Sequence, residues 1–334
     1  MQLEKASYII LKQNEGENGV YEMAEYAGRI CLRSMENKKI YKDSKAFVEN
    51  ILMAKEHGAP LEHGTIYLKI DNGEKNKFYC RYNNNPYSKV KYAYEGDKKI
   101  LFITTNLRVL FENGWMDDLE YLSPYCKQHE RRISVQFYLD RFTGEEFLRH
   151  RHDSFCREST RFVNFLMDKF GGGNISFILP PWMGDETECL TDREYEEMCI
   201  EFGKRCTLFY KLKKILGLAK DKRFSDREMW LFSLRTCEMV YNKLIGEYKW
   251  QPQQARTVLP CAIKSPLLVT AFESDWIHFF NLRSDIGKTG KPHPQAEELA
   301  TPLREEFIKR GYIRRSKLYK PENNIKGINL KDSQ

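Results

Sequence analysis

The chain has 334 residues, 41% apolar and 30% charged, with a formal charge of +7. This usage excludes a wholly disordered chain and leaves enough apolar material for a sizeable core. No run approaches about 18 uncharged apolar residues, and the N-terminal stretch is interrupted by charges, so neither a membrane span nor a signal peptide is expected.

The positive charge is concentrated. Residues 69–109 carry nine Lys/Arg against four Asp/Glu, and residues 309–334 carry eight against two. Such a surface is solvated and favours anionic small molecules by long-range attraction. The nine cysteines include no C-x-x-C pair and no zinc-finger spacing. They suggest a reducing, cytoplasmic compartment without disulfides and without a metal site.

In chain order, residues 7–11 read as a strand and residues 20–32 as a helix with Met23, Ala27, Ile30 and Cys31 on one side. A second helix is predicted over 44–56, striped by Phe47, Ile51 and Leu52 and stopped by Gly58 and Pro60. Residues 65–70 form a strand. Residues 78–82 and 90–94 alternate around Asn83–Pro86 and predict a hairpin. A strand at 100–104 and a short helix at 106–112 follow. Residues 133–139 alternate as a half-buried strand, and Thr143 with Glu146 reads as a capping box opening a helix to Arg149.

Glycines 171–173 make a loop, without the lysine and hydroxyl of a P-loop. Capping boxes at Thr191/Glu194 and Ser225/Glu228 open two long helices. Their predicted stripes are Tyr195, Met198, Phe202, Phe209, and Met229, Phe232, Val240, Leu244. Helices near 275–282 and 295–309 complete the pattern. Strands interleaved with helices, without a clean linker, predict an α+β fold: one catalytic domain over 1–320 and a tail at 321–334.

The densest chemical signal is RHRHDSFCRESTRF, residues 149–162. It packs Arg149, Arg151, Arg157 and Arg161 with two histidines and the hydroxyls of Ser159 and Thr160. Clustered guanidinium groups repel unless an anion lies among them, and their planar forks suit phosphate and carbonyl edges. The competing reading is a salt-bridge network with Asp153 and Glu158. In the predicted helix near 275–282, Trp276, Phe279, Phe280 and Arg283 are spaced i, i+3, i+4, i+7. Arg283 therefore shares the apolar face and needs a carboxylate or a ligand. Asp285 and Glu297 are the nearby carboxylates.

Arg149-His150-Arg151, seven residues, then Ser159 resembles the RHR-x7-S signature of the flavin-dependent thymidylate synthases, with Arg161 two places on. Four further segments resemble that family in order: RICLRS at 29–34, HGAPLEH at 57–63, ARTVLP at 255–260, and WIHFFNLR at 276–283 followed by HPQAE at 293–297. The chain resembles a long member, with an inserted region, including the hairpin, within 69–132.

The resemblance implies a central, mostly antiparallel sheet flanked by helices. It also implies FAD reduced by NADPH, methylenetetrahydrofolate as the one-carbon donor, dUMP as the acceptor, and a homotetramer with sites shared between subunits. Arg283 maps onto the arginine that polarises the pyrimidine. Arg149, Ser159, Thr160, Arg161 and Arg256 map onto dUMP contacts, with Glu146 where glutamine is usual and Arg157 or Glu158 meeting the sugar. His57, Glu62, Arg149, His150, Arg151, Glu158 and His278 map onto the FAD side. Pro260-Cys261 mimics a nucleophile motif but belongs to ARTVLP, and Cys156, beside Arg157, reads as a pocket-lining thiol whose pKa that arginine would depress. The lesser readings are a flavoenzyme with another pyrimidine acceptor, and a basic nucleic-acid-binding module stacking bases on Tyr82, Tyr92 or Tyr94.

Overall fold

The computed structural model describes residues 1–34, 43–71, 73–161, 163–218 and 222–319; the predicted tail at 321–334 and Phe162 lie outside the described residues. The strands are β1 Gln2–Lys5, β2 Ser7–Leu11, β3 Thr65–Ile70, β4 Lys89–Glu95, β5 Lys98–Asn106, β6 Arg132–Asp140, β7 Ser154–Arg157, β8 Ser176–Leu179 and β9 Lys264–Phe272. By contacts the chain divides into two compact units. The first is Met1–Lys5 with Thr160–Lys264; the second is Ala6–Ser159 with the chain from Ser265 on.

In the first unit, β1 pairs in parallel with β8, placing Leu3 opposite Phe177. Both side chains enter a core with Val163, Met198, Leu234 and Tyr241. The helices Asp192–Arg205 and Asp226–Gly246 begin on the two predicted capping boxes, each with both reciprocal hydrogen bonds. Two predicted stripes are corrected. Phe209 sits on a separate helix, Leu208–Ile215, and is 68% exposed. The buried face of the longer helix is Leu231, Leu234, Glu238, Tyr241 and Ile245, not the register of Met229 and Val240. Glu238 decides that register, because its carboxylate accepts the Ile175 N–H at 2.7 Å. A buried carboxylate needs such a donor.

The second unit carries a four-stranded sheet in the order β2-β6-β9-β7 and a three-stranded sheet in the order β3-β5-β4. β2 runs antiparallel to β6 and β7 antiparallel to β9, and both pairings within the smaller sheet are antiparallel. Helices Gly16–Leu32, Glu273–Arg283 and Pro294–Lys309 belong to this unit. The class is the expected one, antiparallel sheet with flanking helices. Val135, Phe137 and Leu139 of β6 pack with Trp276, Phe279, Phe280 and Phe307 in one core. Tyr21, Phe47, Leu68 and Ile103 belong to a second core.

Three expectations for this unit change. β6 is buried on both faces rather than one, because its polar residues have internal partners: Ser134 Oγ lies 2.7 Å from Thr270 Oγ1, and Gln136 accepts from the Tyr26 hydroxyl. Residues 78–82 are helical, within Lys75–Asn83. Phe78 and Tyr82 fall at i, i+4 and are both buried. The hairpin is instead β4–β5, turning at Gly96, whose φ of +59° suits a residue without Cβ. Over five residues an aromatic alternation and a helical i, i+4 pair look alike, and the core selects the helix. The helix from Ser44 passes into a π-helical stretch, Val48–Met53, and ends before Gly58 and Pro60, which form a short turn of their own, Gly58–Leu61.

The helix Arg141–Phe147 starts one turn earlier than the predicted capping box. Asp140 is its N-cap and accepts the Thr143 N–H at 3.0 Å, while the Thr143 hydroxyl also donates to Asp140. A carboxylate satisfies the orphan N–H groups and favours the positive end of the helix. Asp140 further accepts from Gln295 Nε2 at 3.0 Å, tying the helix start to Pro294–Lys309. We expect Asp140→Ala to lower unfolding free energy by about 1–2 kcal/mol and Thr143→Ala by clearly less. Chemical denaturation of both variants checks this; the reverse ranking would restore Thr143 as the cap.

Candidate functional site

In the second unit the helix Arg141–Phe147 leads from β6 into the arginine-rich segment, and Glu273–Arg283 follows β9 without a loop. Trp276 donates Nε1–H to the Ile133 carbonyl at 3.1 Å, fixing the latter helix on β6. Trp276, Phe279 and Phe280 are at most 1% exposed. Burying rings of this size contributes roughly 1.5–3 kcal/mol each. Arg283 stands in the last turn of this stripe, where a cation also favours the helix dipole.

All three nitrogen positions of Arg283 are engaged. Nη1 donates to Glu146 Oε2 at 2.6 Å, Nη2 to the Glu146 carbonyl at 2.7 Å, and Nε to His150 Nε2 at 3.2 Å. The partner carboxylate is therefore Glu146, neither Asp285 nor Glu297; Asp285 pairs with Arg304. Because Asp140 caps the helix, Glu146 is free of the capping role and reaches across to Arg283. Partial burial alone would raise the Glu146 pKa, but the hydrogen bond and charge of Arg283 bring it below the usual value. His150 is held neutral by burial and then by the positive Arg283, its pKa pushed down to about 4. A neutral ring is required, since Nε2 accepts a hydrogen bond. The His278 ring stands edge-on to His150 at 5.6 Å.

Arg149 is exposed and, among the described residues, reaches only Glu146 Oε1, at 3.3 Å. Arg151 is exposed, with no ion-pair partner among the described residues. Arg157 pairs with Glu145 at 2.9 Å. Glu158 is buried, its N–H donating to the Pro266 carbonyl and Arg33 lying 3.5 Å from its carboxylate. Ser159 donates its N–H to the Cys31 carbonyl at 3.0 Å. The salt-bridge network predicted with Asp153 and Glu158 thus takes other acids, Glu145 and Glu146. His57 and His278 are exposed, and Glu62 pairs with Arg108.

Within the first unit, Arg256 Nη1 donates to Thr160 Oγ1 at 3.4 Å, and exposed Arg161 donates Nε–H to Gln253 Oε1 at 3.4 Å. The helix Pro252–Ala255 and the 3-10 turn Arg256–Val258 place Gln253 and Arg256 one turn apart. The Arg256–Thr160 contact is neutral and long, an arrangement able to close on an added anion.

Sequence reasoning missed a buried polar layer in the second unit. Arg132 donates from Nη2 to Ser154 Oγ at 2.9 Å and from Nη1 to the Glu62 carbonyl at 2.9 Å. His63 Nδ1 lies 2.7 Å from Thr270 Oγ1, and burial, then Arg132, depresses its pKa to about 3. Burial, then Asp275, raises Asp153 to about 8. The one signal was the basic pair Arg131-Arg132 leading into an apolar strand. Cys156 also differs from expectation: its thiol is pushed up by its hydrogen bond with Cys31 and by burial, not depressed by Arg157. Alternation along β7 sends Cys156 inward and Arg157 to Glu145 on the opposite side.

A family model described as thymidylate synthase complementing protein matches residues 130–310. No curated protein matches the chain by sequence. Among solved structures, the chain is similar to a UMP/dUMP methylase, PolB, from Streptomyces cacaoi bound with 5-Br dUMP: 15% identity, 92% of this chain and 93% of that one, TM-score 0.39. It is also similar to the flavin-dependent thymidylate synthase ThyX from Helicobacter pylori complexed with FAD and dUMP: 14% identity, 95% of this chain and 100% of that one, TM-score 0.35.

The neutral His150 gives a pH test. Its folded pKa of about 4 lies below the ordinary imidazole value of about 6.5. The folded state therefore binds fewer protons in that window. The stability His150 contributes is complete above the upper value and is lost as pH falls through the lower one. His150→Gln removes this linkage. The melting-temperature gap between wild type and variant should narrow as pH is lowered across that window, and a constant gap would show that His150 does not titrate there.

Proposed function

This chain belongs to the thymidylate synthase complementing protein family, and from that premise we propose that it is a flavin-dependent thymidylate synthase, methylating dUMP to dTMP with methylenetetrahydrofolate and NADPH. The observation that carries the reading is the Arg283–Glu146–His150 group, which lies inside the matched segment. A planar guanidinium at the end of an apolar stripe, paired with a half-exposed carboxylate, is suited to exchange that carboxylate for a pyrimidine carbonyl. As negative charge develops on the ring, a preorganised cation stabilises it more than it stabilises the bound substrate. Glu146, released, accepts from the ring N–H and keeps the buried charge balanced.

The phosphate end is assigned to Ser159, Thr160, Arg161 and Arg256, with Arg149 and one of Arg157 and Glu158 nearer the sugar. Weak neutral partners around Thr160 and Arg256 support that assignment. For FAD, the donor set fits a diphosphate: Arg149 and Arg151 are exposed, and Arg151 is without an ion-pair partner among the described residues. His57, Glu62, His150, Glu158 and His278 complete the flavin side. When bound, the flavin supplies reducing power and the folate the one-carbon group. Residues 1–320 as one catalytic domain, a homotetramer and a cytoplasmic location are parts of the same proposal. The nucleic-acid alternative loses its basis at Tyr82, which is fully buried, and at Tyr92, which stacks on Tyr79.

Protein reconstituted with FAD should give a flavin spectrum that dUMP perturbs, and it should form dTMP. Arg283→Lys should retain FAD and NADPH oxidation while losing dTMP formation per flavin by roughly a hundredfold or more. Near-wild-type turnover per bound flavin, with a lowered melting temperature, would make Arg283 structural; a protein that takes up no flavin would end the proposal as a whole.

A further inference from the structure

A cavity of about 300 Å³ opens in the second unit between the start of the helix Gly16–Leu32, the N-terminal end of β6 and residues 122–125 of the inserted region. Its size falls at the lower end of small-ligand sites. None of the residues assigned above to flavin or nucleotide lines it. Its walls carry three cations, Lys12, Arg131 and Arg132, against one carboxylate, Glu15.

The cations are the unusual feature. The Arg131 guanidinium carbon lies 4.3 Å from the Tyr125 ring centre and 4.8 Å from that of Tyr312. Two aromatic rings fix its position, yet its N–H groups have no hydrogen-bond acceptor among the described residues. The exposed Lys12 ammonium likewise has no partner there. Arg132 is 8% exposed and its buried Nε–H is unbonded. Packing therefore positions the half-buried Arg131 while its hydrogen-bonding capacity, like that of exposed Lys12, stays uncommitted among the described residues. Gln13, also on the wall, is spent on Thr65, giving 2.7 Å to its carbonyl and taking 2.8 Å from its N–H. The wall is thus internally braced, with Arg132 bonded to Ser154 and the Glu62 carbonyl, while Arg131 and Lys12 are left open.

We propose that this cavity binds a small molecule through a phosphate or carboxylate group, gripped by Arg131 and Lys12, and that the inserted region supplies one wall through Ser123 and Tyr125. The proposal goes beyond the thymidylate synthase reading and does not rest on it.

Isothermal titration of the full chain with inorganic pyrophosphate, and separately with malonate, at fixed ionic strength and with saturating FAD and dUMP present to occupy the sites assigned above, tests this. Saturable binding of at least one is expected, and the better probe identifies the group as phosphate or carboxylate. Lys12→Gln and Arg131→Gln should each weaken it about tenfold or more. Lys12 is exposed, so its variant reads binding without endangering the fold. Arg161→Gln should leave this binding unchanged, which separates it from the proposed nucleotide phosphate site. No saturable binding of either probe, or binding that persists in both Lys12→Gln and Arg131→Gln, would overturn the proposal, as would binding abolished by Arg161→Gln.

Discussion

A guanidinium ending an aromatic stripe is the constraint on which the candidate site depends. Trp276, Phe279 and Phe280 must be buried for the helix Glu273–Arg283 to seat, and seating them carries Arg283 into a sparsely hydrated position. An isolated charge there would cost far more than the packing returns. Glu146 supplies both a carboxylate and a carbonyl, and His150 supplies a lone pair. Each contact constrains the next: His150 must stay neutral to accept, and Glu146 must be released from capping to reach Arg283. Asp140 meets that second requirement by capping the helix itself.

The same sheet shows how polar residues are carried through a core. β6 and β9 bring Ser134 and Thr270 together, and His63 completes the chain of hydroxyl and imidazole. Arg132 braces this layer by bonding the Glu62 carbonyl on one side and Ser154 on the other. Such networks specify register strongly, since a one-residue slip would strand every donor. Among these described arginines the settings differ: Arg132 is structural, Arg283 is paired with the half-exposed Glu146, and Arg149, Arg151 and Arg256 are weakly held.

Residues 69–132 are a folded part of the second unit rather than a loose loop. They hold β4, β5 and the helices Lys75–Asn83 and Leu107–Asn113, and Tyr82, Leu101 and Ile103 share the core of Tyr21 and Phe47. The Tyr82 hydroxyl and Arg81 both bond Asp118, tying the helix Lys75–Asn83 to the chain after Trp115. A segment packed into that shared core and braced by a partly buried ion pair can present residues 122–125 in a fixed position.

The sequence by itself determined what rests on neighbours a few residues apart. The capping boxes at Thr191 and Ser225, the strand Thr65–Ile70 and the placing of Arg283 on an apolar face follow from i, i+3 and i, i+4 spacing or strict alternation. Tertiary structure decided what depends on distant or competing partners. Glu146 is 137 residues from Arg283, so no local pattern could prefer it to Asp285. Phe78 and Tyr82 fit an alternating strand or one helical face equally well until a core exists to bury them together. Asp140 and Thr143 were both chemically able to cap one helix, and the choice fell to the residue that Gln295 also reaches. Local periodicity sets which side chains share a face; the free energy of burying charge sets which of the distant groups must meet them.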